Sequence, residues 1–355
     1  MTLDEQQPAS YQHLLSMTTH IGLYEHALGD QPRLDHAYCV DDAARALIVT
    51  TRESQPAPPI NNAVHIYLAF LEAAITPSGL IHNRRDLDGN WTDRASTDDH
   101  WGRAIWALGT AAATSLDLIV SSQSFIAATT LMQQRSPWPR SMAYSALGAA
   151  QILLIDPHHE PALSLVNDVK ELLPHTRNDT FWPWPEDRLT YANAVIPQAM
   201  IAIATVQRND SLMRDGLQLL RWLVNTQLLN GQLSLVSSQG FSRGSTPPAF
   251  AQQPIEAACL AEACAQAFDA TADPYWLSVI ELCLRWFNGA NDLGEPVCIP
   301  STGAGLDGLE NDRVSLNQGA ESTLAYLSTV QLFRTYNDQA THMNPDDRIL
   351  SVTAS

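Results

Sequence analysis

The links between helical segments constrain this chain more tightly than the segments themselves. Apolar residues recur at three- and four-residue spacing through most of the sequence and strand-like alternation is rare, so the pattern predicts helices. Clusters of Gly, Pro, Asn and Asp divide it into twelve, near 9–28, 41–53, 60–76, 99–114, 117–134, 139–155, 160–173, 190–206, 210–228, 254–269, 273–288 and 318–336. Links after even-numbered segments are brief, as in "TS", "DPHH", "QRND" and "ATAD". Links after odd-numbered segments are long and rich in aromatic and polar residues, apart from the short "SPW" at 136–138. An up-down helical array sends alternate links to opposite ends. One end is therefore plain, and the other carries nearly all the elaborated loops. Loops held by a rigid scaffold are where binding and catalysis concentrate, so the elaborated end is the expected functional end.

The even-numbered segments differ from their partners in composition. "GRAIWALGTAAA", "MAYSALGAAQILLI" and "IEAACLAEACAQAF" are apolar on more than one side and rich in Ala and Gly. Helices apolar all round are buried, whereas odd segments such as "SLMRDGLQLLRWLVNTQLL" keep a polar face. Six buried helices alternating with six half-exposed ones is what an all-α (α/α)6 toroid requires. An open solenoid would also place its long loops on one side, but solenoid repeats keep a fixed period, and the spacing here is uneven. The expectation is a single (α/α)6-barrel domain over residues 1–340, followed by a polar C-terminal tail at 341–355.

Composition removes several functional classes. The formal charge is −18 and Lys170 is the only lysine, so the chain lacks the basic patches that bind nucleic acid. Lys170 sits in the polar stretch "VNDVKELLP", a poor place for Schiff-base chemistry. HExxH, paired CxxC, a Walker loop and a Rossmann fingerprint after a strand are all absent, and "GAGLDG" at 303–308 falls in an irregular stretch; no metal or cofactor is expected. "DDAAR" has Arg45 where a metal-dependent terpenoid cyclase needs a second carboxylate. No apolar run is long enough to span a membrane. The five scattered cysteines read as buried thiols in a reducing, cytoplasmic compartment. Nothing in the sequence bears on oligomeric state.

In a toroid of this order the six inner helices all start at the elaborated end. Those starts read "CVDDAAR", "STDDHWGR", "WPRSMAY", "EDRLTYANA", "QQPIEAA" and "NQGAEST", and five of the six bring an acid to the rim or the first turn. One Asp per start is what helix capping alone predicts. Capping does not account for the doublets Asp41–Asp42 and Asp98–Asp99, nor for the residues around them. His36, Tyr38 and Arg45 flank the first doublet, and His82, Asn83, Arg84 and Trp91 lie in the second long loop. His100, Trp101 and Arg103 follow Asp99; Trp184 and Asp187 precede Asn193; Gln253 and Asn317 open the last two inner helices. Aromatic rings, carboxylates, amides and guanidinium groups together suit a carbohydrate, whose rings present apolar faces and whose hydroxyls need many polar partners. Tryptophans also pack cores, and that reading stands beside this one for Trp101. Within the first doublet, Asp42 is the expected cavity-facing member, because Arg45 lies three residues on along the same helical face.

Glycoside chemistry needs a protonated carboxylic acid and an ionised carboxylate. Asp42, Asp99, Glu256 and Glu321 are the catalytic candidates, with Asp187 in reserve, and the sequence does not divide acid from base among them. Sugar epimerisation by a histidine, and glycan binding without turnover, fit the same residues. The motifs "AYCVDDAARALIV", "HNRRDLDGNWTD", "DDHWGRAIWALG", "WPEDRLTYANAVIP", "QQPIEAACLAEAC" and "NQGAESTLAYL" resemble those of a bacterial family of six-hairpin glycosidase-like proteins, related to glycosidases and often found beside glycosyltransferases. The resemblance runs over roughly residues 10–335. It implies an (α/α)6 barrel that hydrolyses mannose- or glucose-containing oligosaccharides, with inversion. Ala192 and Gln198 depart from the acids such proteins would carry there, which leaves the fourth inner helix without a catalytic carboxylate.

Overall fold

The computed structural model describes residues 9–173, 179 and 181–342. Twelve helices are present among them: α1 (Gln12–Ser16), α2 (Val40–Thr51), α3 (Pro58–Ala74), α4 (Asp99–Thr114), α5 (Leu118–Leu131), α6 (Pro139–Ile155), α7 (Glu160–Leu172), α8 (Val195–Gln207), α9 (Asp210–Gln227), α10 (Pro254–Thr271), α11 (Tyr275–Phe287) and α12 (Ala320–His342). The even-numbered helices pack in succession, α2 on α4, α4 on α6, and so on round to α12, which packs back on α2. That last contact closes the ring and excludes the solenoid. The fold is the (α/α)6 toroid, with each long odd-numbered helix packed outside its neighbours.

Small residues set the inner ring's spacing. A Cβ on Gly148 of α6 would overlap the backbone carbonyl of Ile105 on α4, and one on Gly109 would overlap the backbone of Gly148. These glycines let the two helices meet backbone to backbone, the approach that the Ala/Gly-rich segments implied. All five cysteines are buried free thiols. No helix among the described residues is long and apolar enough to cross a membrane.

Three segments differ from the sequence expectation. The helix expected over 9–28 ends at Ser16. The Thr18 hydroxyl donates to the Leu14 carbonyl (2.7 Å), and the Thr19 hydroxyl donates to Gly22 O and accepts from Ile21 N (3.2 and 3.1 Å). Such local side-chain bonds compete with helix propagation. The chain then turns into an antiparallel pair, Ala27–Leu28 with Gln31–Pro32, at the elaborated end. Helix α8 starts at Val195 rather than near 190, since Pro197 is tolerated only in a first turn. Helix α12 runs on to His342, so it takes in the first two residues of the tail expected at 341–355; the remainder, 343–355, lies outside the described residues.

Short antiparallel pairs brace the elaborated end. Tyr38–Cys39 pairs with Arg84–Arg85, which ties the second long loop to the start of α2. Arg188–Leu189 pairs with Phe241–Ser242, and Cys298–Ile299 with Ala304–Gly305.

Candidate active site

The inner-helix starts surround a cavity of about 950 Å³, and each of the six contributes to its wall. Asp41, Asp42 and Arg45 come from α2; Asp99, His100 and Arg103 from α4; Trp138 precedes α6 and Tyr191 precedes α8; Gln253 and Pro254 open α10; Glu321 and Ser322 open α12.

Helix capping does not explain the acids. Side-chain caps occur on outer helices, where Asp117 accepts from Ile119 and Val120 N–H, and Asn209 accepts from Leu212 N–H. The starts of α2, α4, α6, α8 and α10 make no side-chain cap hydrogen bond. Asn83, from the second long loop, serves α2 instead: its Oδ1 accepts from Val40 N–H (3.1 Å) and its Nδ2 donates to Asp41 Oδ2 (3.2 Å). Asp93 holds that loop by accepting from the N–H groups of Asn83 and Arg84 (2.7 and 3.0 Å).

Freed from capping, the doublet residues take different environments. Asp42 is buried; Arg45 Nη1 donates to its Oδ1 at 2.6 Å and the Cys39 thiol to its Oδ2 at 3.2 Å. Burial, reinforced by the charges of Glu321 and Glu25, outweighs Arg45 and holds its pKa at about 6. Burial acts in the same direction on Asp41, but there Arg103, Arg45 and His100 prevail and bring it down to about 2. Arg103 Nη1 donates to Asp41 Oδ1 at 2.5 Å. Two adjacent carboxylates therefore sit on opposite sides of their ordinary value. Arg45 also reaches across the ring, its Nη2 donating to Glu321 Oε2 at 2.6 Å. A single guanidinium thus joins a buried acid on α2 to a more exposed carboxylate on α12.

The opposite wall is a relay. Arg140 makes a two-point ion pair with Glu186 (3.1 and 2.9 Å), donates to the Tyr191 carbonyl (2.7 Å) and lies 5.1 Å from the Tyr191 ring centre. Tyr191 OH in turn donates to Asp99 Oδ2 at 2.7 Å. Trp138 is 56% exposed and its Nε1 donates to Asp98 Oδ1 (2.9 Å), so the indole lies open at the rim with its edge fixed.

Of the residues singled out from sequence, Asp41, Asp42, Arg45, Asn83, Arg84, Asp99, His100, Arg103, Gln253 and Glu321 line the cavity. The others lie elsewhere. Glu256 is buried behind the wall, accepting from Ala192 N–H (2.5 Å) and Asn193 Nδ2 (3.4 Å), where it supports the left-handed turn at Ala192. Its pKa is raised to about 7 by burial, against those same hydrogen bonds. Asn193 is itself buried beside Arg140. Trp101 is core, donating to the Leu131 carbonyl (3.3 Å). Trp184 stacks on Trp222 and donates to Glu186. Tyr38 stacks on Tyr24 inside the protein, and Asn317 accepts from Gly29 N–H. His82 stacks on Trp91, beneath the loop rather than in the wall. His36 is exposed beside His26, and Asp187 is exposed beyond the wall.

Several lining residues were not anticipated. Glu25 and His26 enter because the first segment leaves its helix early; Arg84 pairs with Glu25. Asp307, in the last long loop, accepts from Gly319 N–H (3.0 Å) and the Ser322 hydroxyl (2.8 Å), and burial raises its pKa. Trp138 had a legible signal, since it directly precedes the start of α6, whereas Tyr191 lies four residues before α8, inside the stretch expected to be helical.

No protein family's sequence profile matches the chain, and no curated protein does. Solved structures do match, through shape. A sugar epimerase from a ruminal bacterium superposes with a TM-score of 0.67 at 10% identity, over 93% of this chain and 97% of that one. Cellobiose 2-epimerase from Spirochaeta thermophila gives 0.65 at 12% identity, over 93% and 94%. An inactive α-1,6-mannanase variant from a Salegentibacter species, with two adjacent aspartates replaced and α-1,6-mannotetrose bound, gives 0.63 at 10% identity, over 92% and 98%. The shared property is the toroid.

Proposed function

We propose that this chain is a sugar-acting enzyme that hydrolyses glycosidic bonds, with Asp42 donating a proton to the leaving oxygen and Glu321 activating water. The observation that carries the reading is the Asp42–Arg45–Glu321 bridge: an acid held at about 6 by burial and a second carboxylate, both facing one cavity through the same guanidinium. Glycosidases need a carboxyl kept protonated near working pH and a partner carboxylate. Asp41, held at about 2, stays an anion throughout and suits a positive charge developing on the sugar ring. Trp138 and Tyr191 offer apolar faces at the rim. Acids outnumber the arginines around the cavity, which favours a neutral substrate over a uronic acid or sugar phosphate. The Salegentibacter enzyme was inactivated at two adjacent aspartates, and this chain also carries a doublet at its cavity.

The test is release of reducing ends from a labelled panel of manno- and gluco-oligosaccharides, α-1,6-mannotetraose among them. Asp42→Asn and Glu321→Gln are each expected to lose about 10²–10⁴-fold in kcat, and the first-formed anomer, read by NMR, is expected to be inverted. Wild-type rates in Asp42→Asn, Asp99→Asn and Glu321→Gln alike would overturn the assignment. One observation favours a second reading, epimerisation. His100 is buried in the wall with Nε2 fixed on the Ile81 carbonyl (3.0 Å), and its Nδ1 has no hydrogen-bond partner among the described residues. Deuterium uptake from heavy water into cellobiose or mannose, without new reducing ends, would select it over hydrolysis.

A further inference from the structure

The barrel has a second mouth. At the plain end, where the inner helices finish, a cavity of about 930 Å³ opens between α2, α4, α6, α8, α10 and α12. Between it and the first cavity lies a pocket of about 40 Å³, lined by Ile48, Val49, Ala258 and Leu324 and bordered by Arg45, Arg103 and Glu262. The two large cavities share no lining residue, and the second is by itself within the size range of small-molecule sites.

Its carboxylates already accept hydrogen bonds from within the protein. Glu262 takes Arg52 (2.5 and 2.9 Å) and the Ser328 hydroxyl (2.6 Å); Asp269 takes Tyr336 OH (2.7 Å), and Glu53 takes Tyr11 OH (2.8 Å). The groups left unpaired are neutral. Gln198 is 4% exposed, lines the cavity, and its amide makes no hydrogen bond among the described residues. The Thr110 hydroxyl and Gln331 Oε1 are buried in the same wall without partners among the described residues. Gln151 and Gln266, from two further inner helices, also face it without side-chain partners among the described residues. A buried polar group left unpaired costs stability, and Gln198, Thr110 and Gln331 bring such groups from three separate helices. The carbonyl ends of the inner helices face this mouth and disfavour anions, and Trp106 adds an aromatic surface.

We propose that this second mouth binds a neutral polyhydroxylated ligand, a sugar or the end of an oligosaccharide, through Gln198 and the amides around it. Hydroxyl groups supply both donors and acceptors, which matches free amides and hydroxyls. The site is separate from the one that carries the proposed reaction.

The experiment is calorimetric titration of the full chain carrying Glu321→Gln, with cellobiose, α-1,6-mannotetraose and sorbitol as probes and glucose 6-phosphate as the anionic control. At least one neutral probe is expected to bind with two equivalents per chain, and glucose 6-phosphate with no more than one. Adding Gln198→Leu is expected to weaken the second equivalent about tenfold or more, and Gln266→Leu, which lies nearer the surface, to weaken it in the same direction. In the otherwise wild-type chain, Gln198→Leu leaves oligosaccharide turnover unchanged. Binding that is absent for all three probes, or that is indifferent to both glutamine substitutions, would overturn the proposal, whether one equivalent or two is seen. Turnover reads only the first mouth, so either reading can fail while the other stands.

Discussion

Replacing Asp42 with Asn should make the protein more stable at neutral pH while abolishing activity. In the folded chain Asp42 has a pKa of about 6, against an ordinary value of 3.8. At 1.36 kcal/mol per pH unit, keeping it ionised in the fold costs about 3 kcal/mol. Because the folded value is the higher one, the native state binds more protons than the unfolded state between those two pH values. Stability therefore falls as pH rises from about 4 to about 6, and the whole penalty stands above that. Asn cannot ionise and escapes it. The opposing argument is that breaking a buried ion pair costs about 3–5 kcal/mol, because it strands the remaining charge. Arg45 is not stranded here, since Glu321 still holds its other nitrogen at 2.6 Å. Urea unfolding of both proteins across this pH range is the assay. The expected outcome is near-equality at the acid end and a gain of up to about 3 kcal/mol for the variant above pH 6. A variant less stable than wild type by the same amount at every pH would refute the reasoning, for it would show that Asp42 acts through packing and hydrogen bonding alone.

If Asp42 is the proton donor, turnover declines above its pKa of about 6, roughly tenfold per pH unit; a plateau to pH 8 would point to another acid. Trp138→Ala should raise KM for oligosaccharides about tenfold with little change in kcat, because the indole stands at the rim, anchored to Asp98; an unaltered KM removes it from the binding surface. Gly148→Ala forces α6 away from the Ile105 carbonyl of α4 and should cost about 1–3 kcal/mol, read as a lowered Tm; an unchanged Tm would mean that the two helices can slide apart.

The sequence by itself determined the frame. Helical periodicity, Ala- and Gly-rich segments alternating with amphipathic ones, and long links on one side specify six inner and six outer helices, because each of these signals is local. The same signals put the acids of "CVDDAAR", "STDDHWGR" and "NQGAEST" at one end. Where local side-chain bonds override periodicity, as at Thr18 and Thr19, the reading over-extended a helix and so missed Glu25 and His26. Tryptophans were ambiguous for a related reason: indole suits a core and a sugar face equally. Only the folded chain separates Trp101 and Trp184, which are fully buried, from Trp138, which is open to solvent. Glu256 looked like the other first-turn acids until the turn at Ala192 was seen folded over it. The division of labour in the doublet belongs wholly to the tertiary structure. Asp41 and Asp42 are identical and adjacent, and burial raises both; their pKa values part because Arg103 arrives from α4 beside Asp41, while the charge of Glu321 from α12 adds to burial at Asp42. Charge–charge energies depend on separation in space and on the surrounding dielectric, and neither quantity is written in the order of the residues.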